Sequence, residues 1–148
     1  MLTGVILAGS VAAEPGGQRL SDELETLMKT HVQRMSKVCS EIIISTNNPK
    51  PFLLLFGSRV RIVTDYFPHQ GPLAGLHASL SLARNAAAWV VDGQLSAVSV
   101  RTASLLLREM AAGNWEAALP VLNGRIQYFH GVYRKDVSDR AAQLLCEQ

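Results

Sequence analysis

The sequence has little of most things that betray a function. Only two cysteines occur in 148 residues. Cys39 and Cys146 lie far apart and form no CxxC pattern. That excludes a disulfide scaffold or a cysteine-built zinc site, and a reducing cytoplasm is the expected compartment. Charge is sparse as well: 14 Lys and Arg against 12 Asp and Glu give a formal net of +2. The basic residues are spread along the chain, so it carries no nucleic-acid footprint. No hydrophobic run reaches the length of a membrane span, and no membrane partner is expected. No pair of histidines has metal-ligand spacing, and no Ser-His-Asp or Cys-His signature appears. Repeats and low-complexity linkers are absent too. What remains is an ordinary globular composition, 48% hydrophobic, and a length that suits one domain over residues 1–148 with one core.

Patterning supplies the next layer. Met1 to Ala13 is apolar and ends in Val-Ala-Ala, which imitates a signal-peptide cleavage site. No Lys or Arg precedes the run, and Gly4 and Gly9 interrupt it, so Thr3 to Ala8 reads instead as a buried strand. Ala12 to Gly17 reads as a loop. Ser21 caps a helix whose apolar face is Leu20, Leu24, Leu27, Met28, Val32 and Met35. Glu41 to Thr46 is a second strand, broken by Asn47-Asn48-Pro49. Phe52 to Phe56 fits either a short helix or a packed loop. Arg59 to Val63 is a third strand. Pro72 suits the first position of a helix with a stripe of Leu73, Leu76, Leu80 and Ala83. Ala88 to Val91 is a fourth strand, and Ser99 caps a helix from Val100 to Met110 that closes near Gly113. Ala118 to Leu122 and Ile126 to Tyr133 flank Asn123-Gly124, a hairpin signal. Asp136 or Ser138 starts a last helix. Trp89, Trp115, Tyr128 and Phe129 read as core. His77 reads as a core-edge residue, His69 as a loop residue and His130 as a strand residue.

The alternation of strands and helices predicts a three-layer, Rossmann-like α/β fold. Its sheet is mainly parallel, with an antiparallel element near the C-terminus. Ligands in such sheets sit at the carboxyl ends of the strands. Topology therefore puts Ala8–Ser10, Ser45–Asn48, Thr64–Tyr66 and Asp92–Gln94 on one rim. Gly9 there either lets backbone amides approach a phosphate or simply makes a tight turn. Asn47 carries a donor and an acceptor that could read a base edge, or it ends a strand. Asp65 could accept from a purine or ribose, or it is a turn carboxylate. Asp92 could hold a Mg²⁺ that bridges phosphates, or it is a turn residue.

In their order and spacing these pieces resemble the molybdenum cofactor guanylyltransferase (MobA) family. The resemblance rests on Gly4-Val5-Ile6-Leu7-Ala8-Gly9, Cys39 to Asn47, Arg61-Ile62-Val63-Thr64-Asp65 and above all Gly71-Pro72-Leu73-Ala74-Gly75-Leu76. Asn123-Gly124-Arg125 and His130 to Arg134 add to it. It implies a nucleotidyltransferase fold and transfer of GMP from GTP to molybdopterin with Mg²⁺, releasing pyrophosphate. It also implies that Leu7, Ala8, Gly9, Asn47 and Asp65 contact guanine nucleotide, and that a molybdoenzyme or its chaperone receives the product. A nucleotide-binding remnant without catalysis, or transfer from CTP on the same fold, are the competing readings.

The departures from the family lie in loops. Its Gly- and Arg-rich first loop ending in Asp-Lys is replaced by Ser10-Val11-Ala12-Ala13-Glu14-Pro15, and no lysine occurs before Lys29. Its Cys-Asp-Met-Pro signature is replaced by Val91-Asp92-Gly93-Gln94. The metal position there is Asp92 by chemistry and Gln94 by counting back from the next helix. The chain also ends ahead of the family's Asn-Thr-Pro-type segment. Ser10–Val11 and Val91–Asp92 read as joins where loop residues are missing.

Overall fold

A computed structural model describes residues 1–9, 19–64 and 71–147. Its central sheet is assembled from the predicted apolar runs. β1 (Leu2–Leu7), β2 (Cys39–Ser45), β3 (Arg61–Val63) and β4 (Ala87–Asp92) are parallel. α1 (Asp22–Met35), α2 (Lys50–Phe56) and α3 (Pro72–Leu82) connect them. After α4 (Val100–Gly113) come β5 (Ala117–Ala118), β6 (Val121–Leu122), β7 (Arg125–Ile126), β8 (His130–Arg134) and α5 (Val137–Cys146). The sheet order is β3-β2-β1-β4-β8-β5, with β8 antiparallel to β4 and to β5.

The strands read as unbroken apolar runs because both faces are covered. Leu2, Ile6, Trp89 and Val91 point to one face, where Met28, Val32 and Met35 of α1, Phe52 and Phe56 of α2, and Ala103 and Met110 of α4 meet them. Val5, Leu7, Ala88 and Val90 point to the other, under Leu76, Ala78 and Leu80 of α3. α5 packs along α3. The three layers are therefore as expected. The α3 stripe is wider than predicted: Ala74, Gly75 and Ser79 are buried as well, because the sheet covers one side of the helix and α5 another.

Local signals mark the helix ends. Ser21 Oγ accepts from the Leu24 N–H at 3.3 Å, and Ser99 Oγ from the Thr102 N–H at 3.1 Å. The ambiguous Phe52–Phe56 segment is helical within α2, and Arg59 falls in the 3-10 turn Gly57–Arg59 ahead of β3.

Three expectations need correction. The hairpin forms at Asn123-Gly124, whose φ values of 53° and 77° are those of a tight primed turn. However, β6 and β7 make a separate two-stranded sheet. The Gln127 N–H closes that hairpin on Pro120 O at 2.9 Å, after which the chain turns away and enters the main sheet as β8. Trp115 and Tyr128 are not core: they are 63% and 55% exposed. Trp115 follows the left-handed Asn114 that stops α4 and lays its ring over Gly113 on the surface. β4 runs through Val91–Asp92, pairing Val91 with Ile6 and Asp92 with Leu7. Ser10–Val11, the Ala12–Gly17 loop and His69 lie outside the described residues. Among the described residues no helix is long and apolar enough to cross a membrane.

Candidate functional site

The carboxyl ends of β1, β2 and β4 and the first turn of α3 enclose a cleft of about 520 Å³, in the size range of small-molecule sites. Leu7, Gly9, Ser45, Thr46, Asn47, Gly71, Pro72, Gly75, Asp92 and Phe129 line it. The rim is stitched by bonds that carry the sheet ladders past the strand ends. The Ala8 N–H donates to Ser45 O at 2.8 Å, the Gly93 N–H to Leu7 O at 2.9 Å, and the Thr46 N–H to Val63 O at 3.0 Å. Thr46 Oγ1 then accepts from the Asn48 N–H at 3.0 Å, a local turn with the exposed Asn47 at its tip.

The Gly71–Leu76 motif now has a physical reason. Gly71 has φ of +74°, a left-handed conformation that glycine adopts without steric cost. Pro72 takes the first helical position. Gly75 lets α3 approach the sheet: a Cβ there would sit 2.8 Å from Ser45 Oγ and 3.2 Å from Leu7 Cδ2.

Asp92 ends β4 half-buried on the cleft wall. Its N–H donates to Phe129 O at 3.0 Å. Its Oδ1 accepts from the Gln94 N–H at 2.8 Å. Gln94 itself is exposed and does not line the cleft, so of the two metal positions left open by the sequence only Asp92 does. Among the described residues it is also the only charged group on the lining. Mg²⁺ commonly takes one or two protein carboxylates and fills its remaining sites with phosphate oxygens and water. One half-buried aspartate could hold an ion that arrives with a nucleotide. No cluster of three His, Cys, Asp or Glu exists among the described residues that could cage a metal by itself.

Behind β4, the loop that follows Asp92 rests on two histidines. His130 Nε2 accepts from the Ser99 N–H at 3.0 Å, and its ring lies 5.5 Å from that of Trp89. His31 is wholly buried and faces the backbone of Gly93 and Leu95. Burial holds both imidazoles below the ordinary histidine value, so both favour the neutral form.

The predicted nucleotide contacts are thus partly assembled. Leu7, Gly9 and Asn47 line the cleft together. Ala8 lies beneath it, buried, with its N–H committed to Ser45. Asp65 lies outside the described residues. The site reading from sequence put Ser45 and Thr46 on the rim without a role, and missed Gly71, Pro72, Gly75 and Phe129. The glycine motif was visible in the sequence, but its place in the site was not. Phe129 looked like any core aromatic.

A parallel sheet whose winding reverses between β1 and β4, with a cleft over its strand ends, defines the doubly wound nucleotide-binding class of α/β proteins. Within that class, the chain belongs to the MobA-like NTP transferase domain family, whose profile matches residues 4–148. It is 30% identical over 101 residues, 67% of this chain and 48% of the relative, to a Clostridium perfringens (strain SM101) protein named "Probable molybdenum cofactor guanylyltransferase". A protein of the same name from Carboxydothermus hydrogenoformans is 25% identical over 138 residues, 92% of this chain and 67% of its own. The chain spans about half the length of the first of these relatives. Among solved structures, molybdopterin-guanine dinucleotide biosynthesis protein A from Archaeoglobus fulgidus superimposes with a TM-score of 0.72 at 16% identity, over 98% of this chain and 73% of its own. At that identity the match speaks for the fold alone.

Proposed function

We propose that this chain is a nucleotidyltransferase domain that transfers GMP from GTP to molybdopterin, giving the guanine dinucleotide form of the molybdenum cofactor. The observation that carries the reading is the cleft itself. It brings Leu7, Gly9, Asn47 and Asp92 together at the strand ends in a chain of this family. In the reaction a terminal phosphate oxygen of the pterin attacks the α-phosphorus of GTP. The bond to the bridging oxygen breaks, and pyrophosphate leaves with the electron pair. No protein nucleophile is needed; positioning and charge do the work. Gly9 is exposed, and among the described residues nothing would meet a Cβ there, which suits close approach of phosphates to the backbone. Asn47 presents its amide to the base, and Asp65 is a further expected contact. Asp92 holds Mg²⁺, which when bound neutralises charge on the phosphate oxygens. A molybdoenzyme or its chaperone as recipient, and a cytoplasmic setting, belong to the same proposal.

The test is pyrophosphate release in the presence of GTP, molybdopterin and Mg²⁺. Release that requires all three supports the reading, and its absence with a verified full chain refutes it. One observation favours a second reading. Among the described residues no Lys or Arg lines the cleft, although preorganised cations usually carry much of phosphoryl-transfer catalysis. A guanine-nucleotide-binding remnant without turnover would look like this. Calorimetry separates the two: tight GTP binding that ignores Mg²⁺ favours the remnant, and Mg²⁺-dependent binding favours the enzyme. CTP in the same titration tests the choice of base.

A further inference from the structure

The segment 93–99 between β4 and α4 begins with the turn that holds Asp92. Both of its ends are tied to one dipeptide at the start of β8. Phe129 O accepts the Asp92 N–H and His130 Nε2 accepts the Ser99 N–H, each at 3.0 Å. Phe129 lines the cleft, and His130 pairs with Val91. Within the segment the Gln94 N–H donates to Asp92 Oδ1 at 2.8 Å and the Leu95 N–H to Asp92 O at 3.2 Å. A shift of this backbone is therefore felt at the carboxylate.

Ser99 is the N-cap of α4. In a capping box the N–H of that residue is taken by a Glu or Gln three positions on. Here that position holds Thr102, and the acceptor comes instead from β8, 31 positions away. A local glutamate would satisfy the same N–H without tying the start of α4 to the sheet. Because Nε2 accepts, the His130 ring proton sits on Nδ1, and among the described residues Nδ1 is buried without a hydrogen-bond partner. One bond made is offset by one donor stranded, so stability alone gives little reason for an imidazole here. Burial holds the ring below the ordinary histidine value, which keeps it in the accepting form. We infer, on the reading of Asp92 as the metal-bearing carboxylate, that His130 is a positioning residue: by holding Ser99 to β8 it fixes the segment 93–99, and through it the Asp92 carboxylate, on the cleft wall. His130 does not itself line the cleft and acts through the Ser99 backbone.

The test is calorimetry of GTP binding with and without Mg²⁺, alongside thermal melting, on the unaltered chain and three variants: His130→Phe, His130→Gln, and His130→Phe combined with Thr102→Glu. Phenylalanine keeps a flat ring beside Trp89 and removes the acceptor. Glutamine places a carbonyl oxygen at about the reach of Nε2. Glutamate at 102 offers the Ser99 N–H a local acceptor without the tie to β8. In His130→Phe the Kd for GTP with Mg²⁺ should rise about tenfold, the scale of loss when the support of a metal ligand is removed. The Kd without Mg²⁺ should stay unchanged. His130→Gln should restore the Mg²⁺-dependent affinity. The double variant should melt as the unaltered chain does and still show the tenfold loss, a pattern that a purely structural role would not give. Should His130→Phe fold poorly, the double variant against His130→Gln makes the same comparison. No loss in His130→Phe, no rescue by glutamine, or recovery in the double variant each overturns the inference and leaves the metal reading of Asp92 standing. No GTP binding by the unaltered chain, or binding indifferent to Mg²⁺, overturns that reading and the inference with it.

Discussion

The two ends of the sheet are built on opposite principles. At the amino ends of the strands, Glu41 gathers a dense polar clamp. Its Oε1 accepts from Arg61 at 2.6 Å, and its Oε2 from the Thr3 hydroxyl at 2.7 Å and the Arg84 N–H at 2.6 Å. Arg61 also donates to Leu82 O at 2.8 Å. Asn85 bridges Thr3 and Ser40 at 3.0 and 2.8 Å. At the carboxyl ends there is an open cleft with one carboxylate and, among the described lining residues, no cation. One end uses its charges to hold three strands, a helix terminus and the turn before β4 together. The other holds its rim with backbone bonds and leaves side chains turned to the cleft. Stability and ligand chemistry are therefore carried by different residues, and substitutions should separate them.

The largest separation is expected at Asp92. Asp92→Asn keeps an oxygen to accept the Gln94 N–H, so melting should hardly move. The proposed guanylyl transfer should fall about a hundredfold or more if Asp92 is the metal ligand the proposal makes it. A melting point that drops along with turnover would erase the distinction between the two ends. Glu41→Ala is the converse. It strands the Arg61 guanidinium and the Arg84 N–H, and urea unfolding should show a loss of about 2–3 kcal/mol. GTP affinity of the folded protein should stay as it was.

Acid should take the two ends apart in sequence. The buried His31 and the half-buried His130 are held below the ordinary value of 6.5. The unfolded chain therefore takes up these protons first, and stability falls as pH drops below that value. Glu41 is also lowered from 4.5. Burial alone would raise it, but the hydrogen bonds from Arg84, Thr3 and Arg61 outweigh burial. Its contribution is whole above about 4.5 and declines as pH falls further, by the same linkage. Urea midpoints across pH 8 to 3 should show two steps, the lower one flattened by Glu41→Gln. The smallest effect belongs to the hairpin, which serves neither end. Val121→Thr and Ile126→Thr should change stability by no more than about 0.5 kcal/mol, measured by thermal melting.

Most of the scaffold was legible because its signals are local or periodic. Strands covered on both sides must be apolar throughout, as Val5–Leu7 and Trp89–Val91 are. Ser21 and Ser99 mark helix starts by one hydrogen bond each. The rim followed from topology, and Asn47 and Asp92 lie on it. What was not legible depends on contacts between elements distant in sequence. The closeness of Gly75 to Ser45 spans 30 positions and leaves no periodic trace. The deeper burial of α3 depends on α5 arriving from the far end of the chain. Trp115 and Tyr128 misled because aromatic character argues for burial, while their positions beside a helix stop and a two-residue ribbon leave them nothing to be buried under.

The two tryptophans give the molecule a built-in spectroscopic contrast. Trp89 is 0% exposed and Trp115 is 63% exposed, so their emission should separate into a blue component from the core and a red one from the surface. Trp115→Phe would leave an intrinsic fluorophore in the sheet, 5.5 Å from the His130 ring. An imidazolium quenches indole emission, so the intensity of that single fluorophore would follow the histidine's proton. Its colour would follow unfolding.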